Sequence, residues 1–139
     1  MQIKNFLSLI LCLFFLISCQ KDEENDELIG TWKLINSSIV TELPNNGLFL
    51  EPRILDNCQK QEIVVFNKTT YISYSYETQA EGSCLESIVE VPYSYSDRKL
   101  MFSIGGKSYT LTVDAGGGSL QILSDLEDNK KLQKIYRKQ

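Results

Sequence analysis

Ile88-Val89-Glu90-Val91-Pro92-Tyr93-Ser94-Tyr95, then Leu100-Met101-Phe102-Ser103-Ile104, then Ser108-Tyr109-Thr110-Leu111-Thr112-Val113 decide how this chain folds. In the first run Val89, Val91, Tyr93 and Tyr95 share one face, with Glu90, Pro92 and Ser94 on the other. In the third, Tyr109, Leu111 and Val113 oppose Ser108, Thr110 and Thr112. A period of two marks strands buried on one face; a helix would repeat its apolar residues every three or four positions. The breaks between runs, Asp97-Arg98 and Gly105-Gly106, suit tight hairpin turns, whose backbone takes positive φ.

The pattern extends outward in both directions. Residues 30–40, 62–66 and 70–76 read as strands upstream, and 120–123 and 132–137 downstream. Asn67-Lys68, Gly116-Gly117-Gly118 and Asp128-Asn129 punctuate them. The expected fold is all-β: about eight antiparallel strands in an up-and-down meander, closed into a small barrel because closure removes exposed edges. Pro92 cannot donate to a ladder, which predicts a bulge or a locally unpaired edge there. Residues 41–57 and 77–87 read as two long loops. The first holds Pro44-Asn45-Asn46-Gly47, the apolar trio Leu48-Phe49-Leu50, and Pro52.

The chain opens differently. Lys4 is followed by an apolar run from Phe6 to Ile17, broken by Ser8 and Cys12. A positive start, a dozen apolar residues and a small residue before a cut describe a secretory signal. A membrane-spanning helix needs about 20 apolar residues, more than this run supplies. Leu16-Ile17-Ser18-Cys19 resembles the lipobox of bacterial lipoproteins. That resemblance implies cleavage before Cys19 and lipid on its thiol and amino group, and two or three acyl chains anchor stably where one does not. Gln20-Lys21-Asp22-Glu23-Glu24 resembles the export signal of surface lipoproteins in Bacteroidota. It implies the outer face of the outer membrane, although a polar spacer serving only as a flexible tether would look the same. The expected organisation is a signal peptide at 1–18, a lipidated acidic tether at 19–27 and one domain at 28–139.

The 139 residues carry a formal charge of −4, with Asp22, Glu23, Glu24, Asp26 and Glu27 concentrated in the tether. The folded part is therefore close to neutral and has no basic footprint for nucleic acid. Of four cysteines, Cys12 belongs to the signal and Cys19 to the anchor. Cys58 and Cys84 remain in a chain bound for an oxidising compartment and are expected to pair. Closing a loop of that length is worth about 3.5 kcal/mol in the chain-entropy model. A metal site or catalytic thiol lacks partners, since the chain has no histidine.

Leu28-Ile29-Gly30-Thr31-Trp32-Lys33-Leu34 leads into the first strand, and Cys58 precedes a strand ending in Phe66. Cys84 follows the next strand, and Tyr136-Arg137-Lys138 closes the hairpin series. Together these resemble the lipocalin-like domain of Bacteroidota lipoproteins, over roughly residues 28–139. The resemblance implies that Gly30 and Trp32 close the barrel base, with Arg137 laid over the indole, a cation–π contact worth about 0.5–2 kcal/mol. The turns are very short for a roomy calyx.

Tyr74 and Tyr76 share a strand face with Ile72, and Tyr93 and Tyr95 share one on the next strand. These four are the candidate ligand-lining residues. Facing inward, their hydroxyls need partners, which a cavity with an amphipathic ligand supplies; equally, they serve as bulk filling a narrow barrel. Leu48, Phe49 and Leu50 read as a lid, a partner patch or a packed turn. No nucleophile–base pair can be assembled, so the chain reads as a non-enzyme without cofactor or metal. Glu62, Glu90 and Asp114 are the carboxylates that folding could bring together. The expected function is a membrane-anchored, non-catalytic binding module for a small apolar or amphipathic ligand. The alternatives are a protein-interaction subunit of an outer-membrane complex and an inhibitor of a secreted enzyme.

Overall fold

The computed structural model describes residues 23–139, with side chains from Asp26 onward. The signal peptide, Cys19 and the start of the acidic motif lie outside the described residues. A short helix, α1 (Glu23–Leu28), leads into β1 (Gly30–Glu42) and β2 (Leu48–Pro52). A 3-10 turn (Gln59–Gln61) precedes β3 (Ile63–Phe66), β4 (Thr70–Thr78) and β5 (Cys84–Ser96). The remaining strands are β6 (Lys99–Ile104), β7 (Lys107–Gly116), β8 (Ser119–Asp125) and β9 (Lys130–Lys138). No helix among the described residues is long and apolar enough to cross a membrane.

The nine strands form one antiparallel sheet, β2-β1-β3-β4-β5-β6-β7-β8-β9, and β1 also pairs with β9. Eight strands thus close into a ring, and β2 stands outside it. β1 is the hub. Its first residues pair with β3 and its last with β2 along one edge, while Trp32–Thr41 pair with β9 along the other. A bulge between Leu34 and Asn36 inserts Ile35 against no partner. One extra residue reverses the alternation, so Trp32 and Leu34 point inward before it, and Ser37 and Ile39 after it.

Hairpin chemistry does the joining. Asp97 and Arg98, Gly105 and Gly106, Gly117 and Gly118, and Asp128 and Asn129 all take positive φ, as short turns matching strand twist require. The Asn67-Lys68 pair departs from expectation: neither has positive φ, and the turn closes by Asn67 N–H donating to Thr70 O over a longer loop. Pro92 sits opposite Thr70 in β4 with no register shift, so no bulge forms. Tyr93 N–H donates toward β4, to Thr69 O, which turns the neighbouring Pro92 nitrogen toward β6. The β5–β6 ladder starts at Tyr93–Phe102, so the missing donor costs nothing there.

Strand occupies part of both expected long loops. Leu48–Pro52 return along β1 as β2, and β4 and β5 extend toward each other to Thr78 and Cys84. β3 covers β4 only to Tyr74, and β6 covers β5 only from Tyr93. The far end of the β4–β5 hairpin is therefore a two-stranded ribbon, marginal by itself. Cys58 and Cys84 are disulfide-bonded, with Cα atoms 5.4 Å apart, and tie the ribbon to the turn before β3.

The barrel base is solid. Leu28, Trp32, Phe66, Leu100, Val113 and Leu120 are sealed from solvent in one cluster. Each large apolar side chain so buried contributes about 1.5–3 kcal/mol.

Candidate ligand site at the barrel mouth

Trp32 defines the closed end. Its indole N–H donates to Leu28 O at 2.9 Å, so the last turn of α1 caps the barrel base and satisfies the ring's polar atom. Gly30 has φ +142°, and a Cβ there would lie 2.9 Å from Lys138 Cε. Lys138 can swing aside, but that φ strains any residue with a side chain, which explains the glycine two residues before the tryptophan. The cation over the indole is Lys138, its Nζ 5.1 Å from the ring centroid, and not Arg137. Tyr136 is buried inside, so alternation turns Arg137 out and brings Lys138 back in.

From this floor aromatic rings climb the interior. Tyr93 meets Phe66 edge-on at 5.6 Å, Phe66 meets Tyr71 at 5.0 Å, and Tyr71 meets Phe102 at 5.5 Å. Phe102 stacks on Tyr109, which is partly exposed at the rim. Tyr93 and Tyr95 point inward, as their alternation implies, but they pack against the core. Their hydroxyls donate to Asn67 O at 2.8 Å and Val113 O at 3.5 Å. Tyr74 and Tyr76 are on the outer face, because Tyr71 and Ser73 take the inner positions of β4. Tyr76 donates to Glu86 Oε1 at 2.7 Å instead. None of the four expected tyrosines lines the cavity.

The cavity lies above the core, open at the mouth, with a volume of about 130 Å³. Its polar wall is Glu62, Tyr71, Ser73, Ser124, Lys134 and Tyr136. Its apolar wall is Leu111, Ile122 and Leu132. Glu62, just ahead of β3, is only 6% exposed and is held by three bonds. Lys134 Nζ donates to Oε1 at 2.8 Å and Oε2 at 2.7 Å, and Tyr136 Oη donates to Oε1 at 2.6 Å. A buried carboxylate survives only with partners of this kind. Burial, then the Glu62 charge, pushes the Tyr136 phenol well above its ordinary pKa. Burial also raises the Tyr71 phenol, against a smaller lowering by the neighbouring Ser73 hydroxyl. Both phenols therefore stay protonated. Ser37, paired with Lys134 across β1–β9, has a buried hydroxyl with no protein partner.

The expected carboxylate grouping does not form. Glu90 lies on the outer face opposite Ile72, and Asp114 is exposed and bound to Arg98 at 2.7 Å, leaving Glu62 alone inside. Among the described residues no three His, Cys, Asp or Glu side chains converge on a metal position. Leu48, Phe49 and Leu50 form β2, not a packed turn, are 63%, 57% and 51% exposed, and do not line the cavity. Sequence reasoning missed Glu62, Tyr71, Lys134 and Tyr136 as a set. Their available signal was Leu132, Lys134 and Tyr136 at alternate positions, a lysine on an otherwise apolar inner face.

A closed antiparallel barrel with a plugged base and a cavity at its mouth fits a class of folds that typically holds ligands without transforming them. The chain belongs to the lipocalin-like domain family, whose model matches residues 28–130. The match stops where β9 begins, so Lys134, Tyr136 and Lys138 lie beyond it. No curated protein matches the chain.

Proposed function

We propose that this protein is a lipid-anchored binding module, acylated at Cys19 and exposed on the outer face of the outer membrane, whose barrel takes a small apolar or amphipathic molecule. The mouth cavity carries the reading: one wall of hydroxyls and a neutralised ion pair faces another of leucine and isoleucine. Pockets for small molecules are concave and mostly apolar, with a few convergent polar groups. The lipobox supports the anchor. The chain enters the barrel at Leu28, on the plugged base, which supports a mouth facing away from the anchored end.

Two measurements test it. Titration of the protein with toluene and benzyl alcohol should shift the backbone amides of Leu111, Ile122 and Ser124; silence at those amides would end the ligand reading. Cells fed an alkyne-bearing palmitate should label the wild-type protein and not the Cys19→Ala variant, and equal labelling would remove the anchor.

A second reading, a protein-interaction subunit, has one observation in its favour. Leu48, Phe49 and Leu50 of β2 and the 99% exposed Ile54 just after it leave apolar side chains open to solvent, Leu48 and Leu50 on one face of the strand and Phe49 on the other. It predicts recovery of a membrane complex from gently solubilised cells, lost in the Phe49→Asp variant. Bait alone in both would dismiss it.

A further inference from the structure

We propose that the mouth cavity selects uncharged, single-ring-sized molecules bearing one hydrogen-bonding group, and rejects carboxylates and ammonium ions of the same size. The inference rests on the ligand-binding reading above and specifies the chemical class that the site takes.

Size comes first. A cavity of about 130 Å³ is close to the roughly 150 Å³ apolar cavity that holds benzene in an engineered protein. It is well below the roughly 300–1,000 Å³ of sites for drug-sized ligands. It encloses a single substituted ring, whereas a fatty acid or a polycyclic molecule would leave most of its surface outside.

Charge comes second. Glu62 and Lys134 are already spent on each other, both carboxylate oxygens being bound to Nζ, with Tyr136 adding a third bond. The carboxylate is 8% exposed and the lysine 27%. An entering carboxylate reaches only the spare N–H of a Lys134 whose charge Glu62 already offsets, and it lies beside that like charge. An entering ammonium meets the same difficulty with Lys134. Either loses its hydration without gaining a free counter-charge, and that loss is not offset. A neutral hydroxyl or carbonyl sacrifices far less. Lys134 has a third N–H to donate, and Ser73 and Ser124 each bring a hydroxyl able to donate or accept. The ring then lies against Leu111, Ile122 and Leu132.

The experiment titrates the full chain with benzyl alcohol, benzoate, benzylammonium and toluene at neutral pH, reading the amides of Leu111, Ile122 and Ser124. Benzyl alcohol should bind most tightly, with both ions weaker by about tenfold or more. Benzoate or benzylammonium matching the alcohol would overturn the selection while leaving the cavity as a binding site. Toluene matching it would overturn the role of the polar wall. No response to any of the four would overturn this inference and the ligand-binding reading together. Two variants extend the test: Lys134→Met should make benzylammonium the tightest of the series, and Glu62→Gln should do so for benzoate. An unchanged order in whichever variant folds would count against the assignment.

Discussion

At the base of the barrel Trp32 fills space, donates to Leu28 O and lies under Lys138. At the mouth the interior is left part empty, and its wall holds a glutamate, a lysine and two tyrosines. The base obeys the rule that a core is apolar and fully packed. The mouth departs from it, and its buried carboxylate is compensated by bonds from Lys134 and Tyr136. Stability is thus concentrated where the chain enters, and the opposite end is free to hold a ligand.

Mutations can break that contrast or sharpen it. Trp32→Ala removes the plug and should cost about 3–5 kcal/mol by urea unfolding, near the limit a small domain survives. A loss below about 1 kcal/mol would mean that the base is not the stabilising end. Replacing Cys58 and Cys84 together by serine should cost about 3.5 kcal/mol. Hydrogen exchange should rise first along residues 75–87 while amides around Leu100 and Leu120 stay protected. A uniform rise across both ends would show that the ribbon is not a separately stabilised unit.

Lys134→Met leaves Glu62 buried without its cation and should destabilise by about 2 kcal/mol. Adding Glu62→Leu and Tyr136→Phe should recover most of it, since neither a buried charge nor an unpaired hydroxyl then remains; a combined variant worse than the single would deny that the three groups form a self-contained set. Alkaline pH tests the same wall. Tyr136 keeps its proton when folded to well above 10.0, whereas the unfolded chain loses it near that value. Stability should therefore be intact below about pH 10 and fall above it, by up to about 1.4 kcal/mol per pH unit per phenol. Tyr136→Phe should flatten that fall, and an equally steep slope in the variant would assign it elsewhere. The smallest effect distinguishes two cations: Lys138→Ala should cost about 0.5–1 kcal/mol and Arg137→Ala close to nothing. The reverse order would restore the arginine to the indole.

Much of the barrel was legible because a two-residue rhythm is imposed by burial on one face. Val89, Val91, Tyr93 and Tyr95 announce their strand and its inward side together, since the intervening residues are polar. β4 shows where that logic fails. Ile72, Tyr74 and Tyr76 are more apolar than Tyr71 and Ser73, yet the polar set faces in, because the mouth needs hydroxyls and Tyr71 stacks between Phe66 and Phe102. The rhythm names two faces and leaves the choice to tertiary packing. The same ambiguity moved the indole's cation by one residue, from Arg137 to Lys138. β2 carries no rhythm at all; Leu48-Phe49-Leu50-Glu51-Pro52 becomes a strand only because β1 outruns β3 and leaves an edge to pair. The ion pair at the mouth joins residues 72 positions apart, a distance at which neither predicts the other from local sequence.

The seam between β1 and β9 has a kinetic consequence. The ring joins β1 to β9, so a chain made from its amino end cannot finish closing until β9 has been synthesised. Topologies dominated by such distant pairings fold in roughly milliseconds to seconds, orders of magnitude more slowly than helical bundles. Until that step the nascent polypeptide stays open, with half of the mouth's ion pair still to arrive.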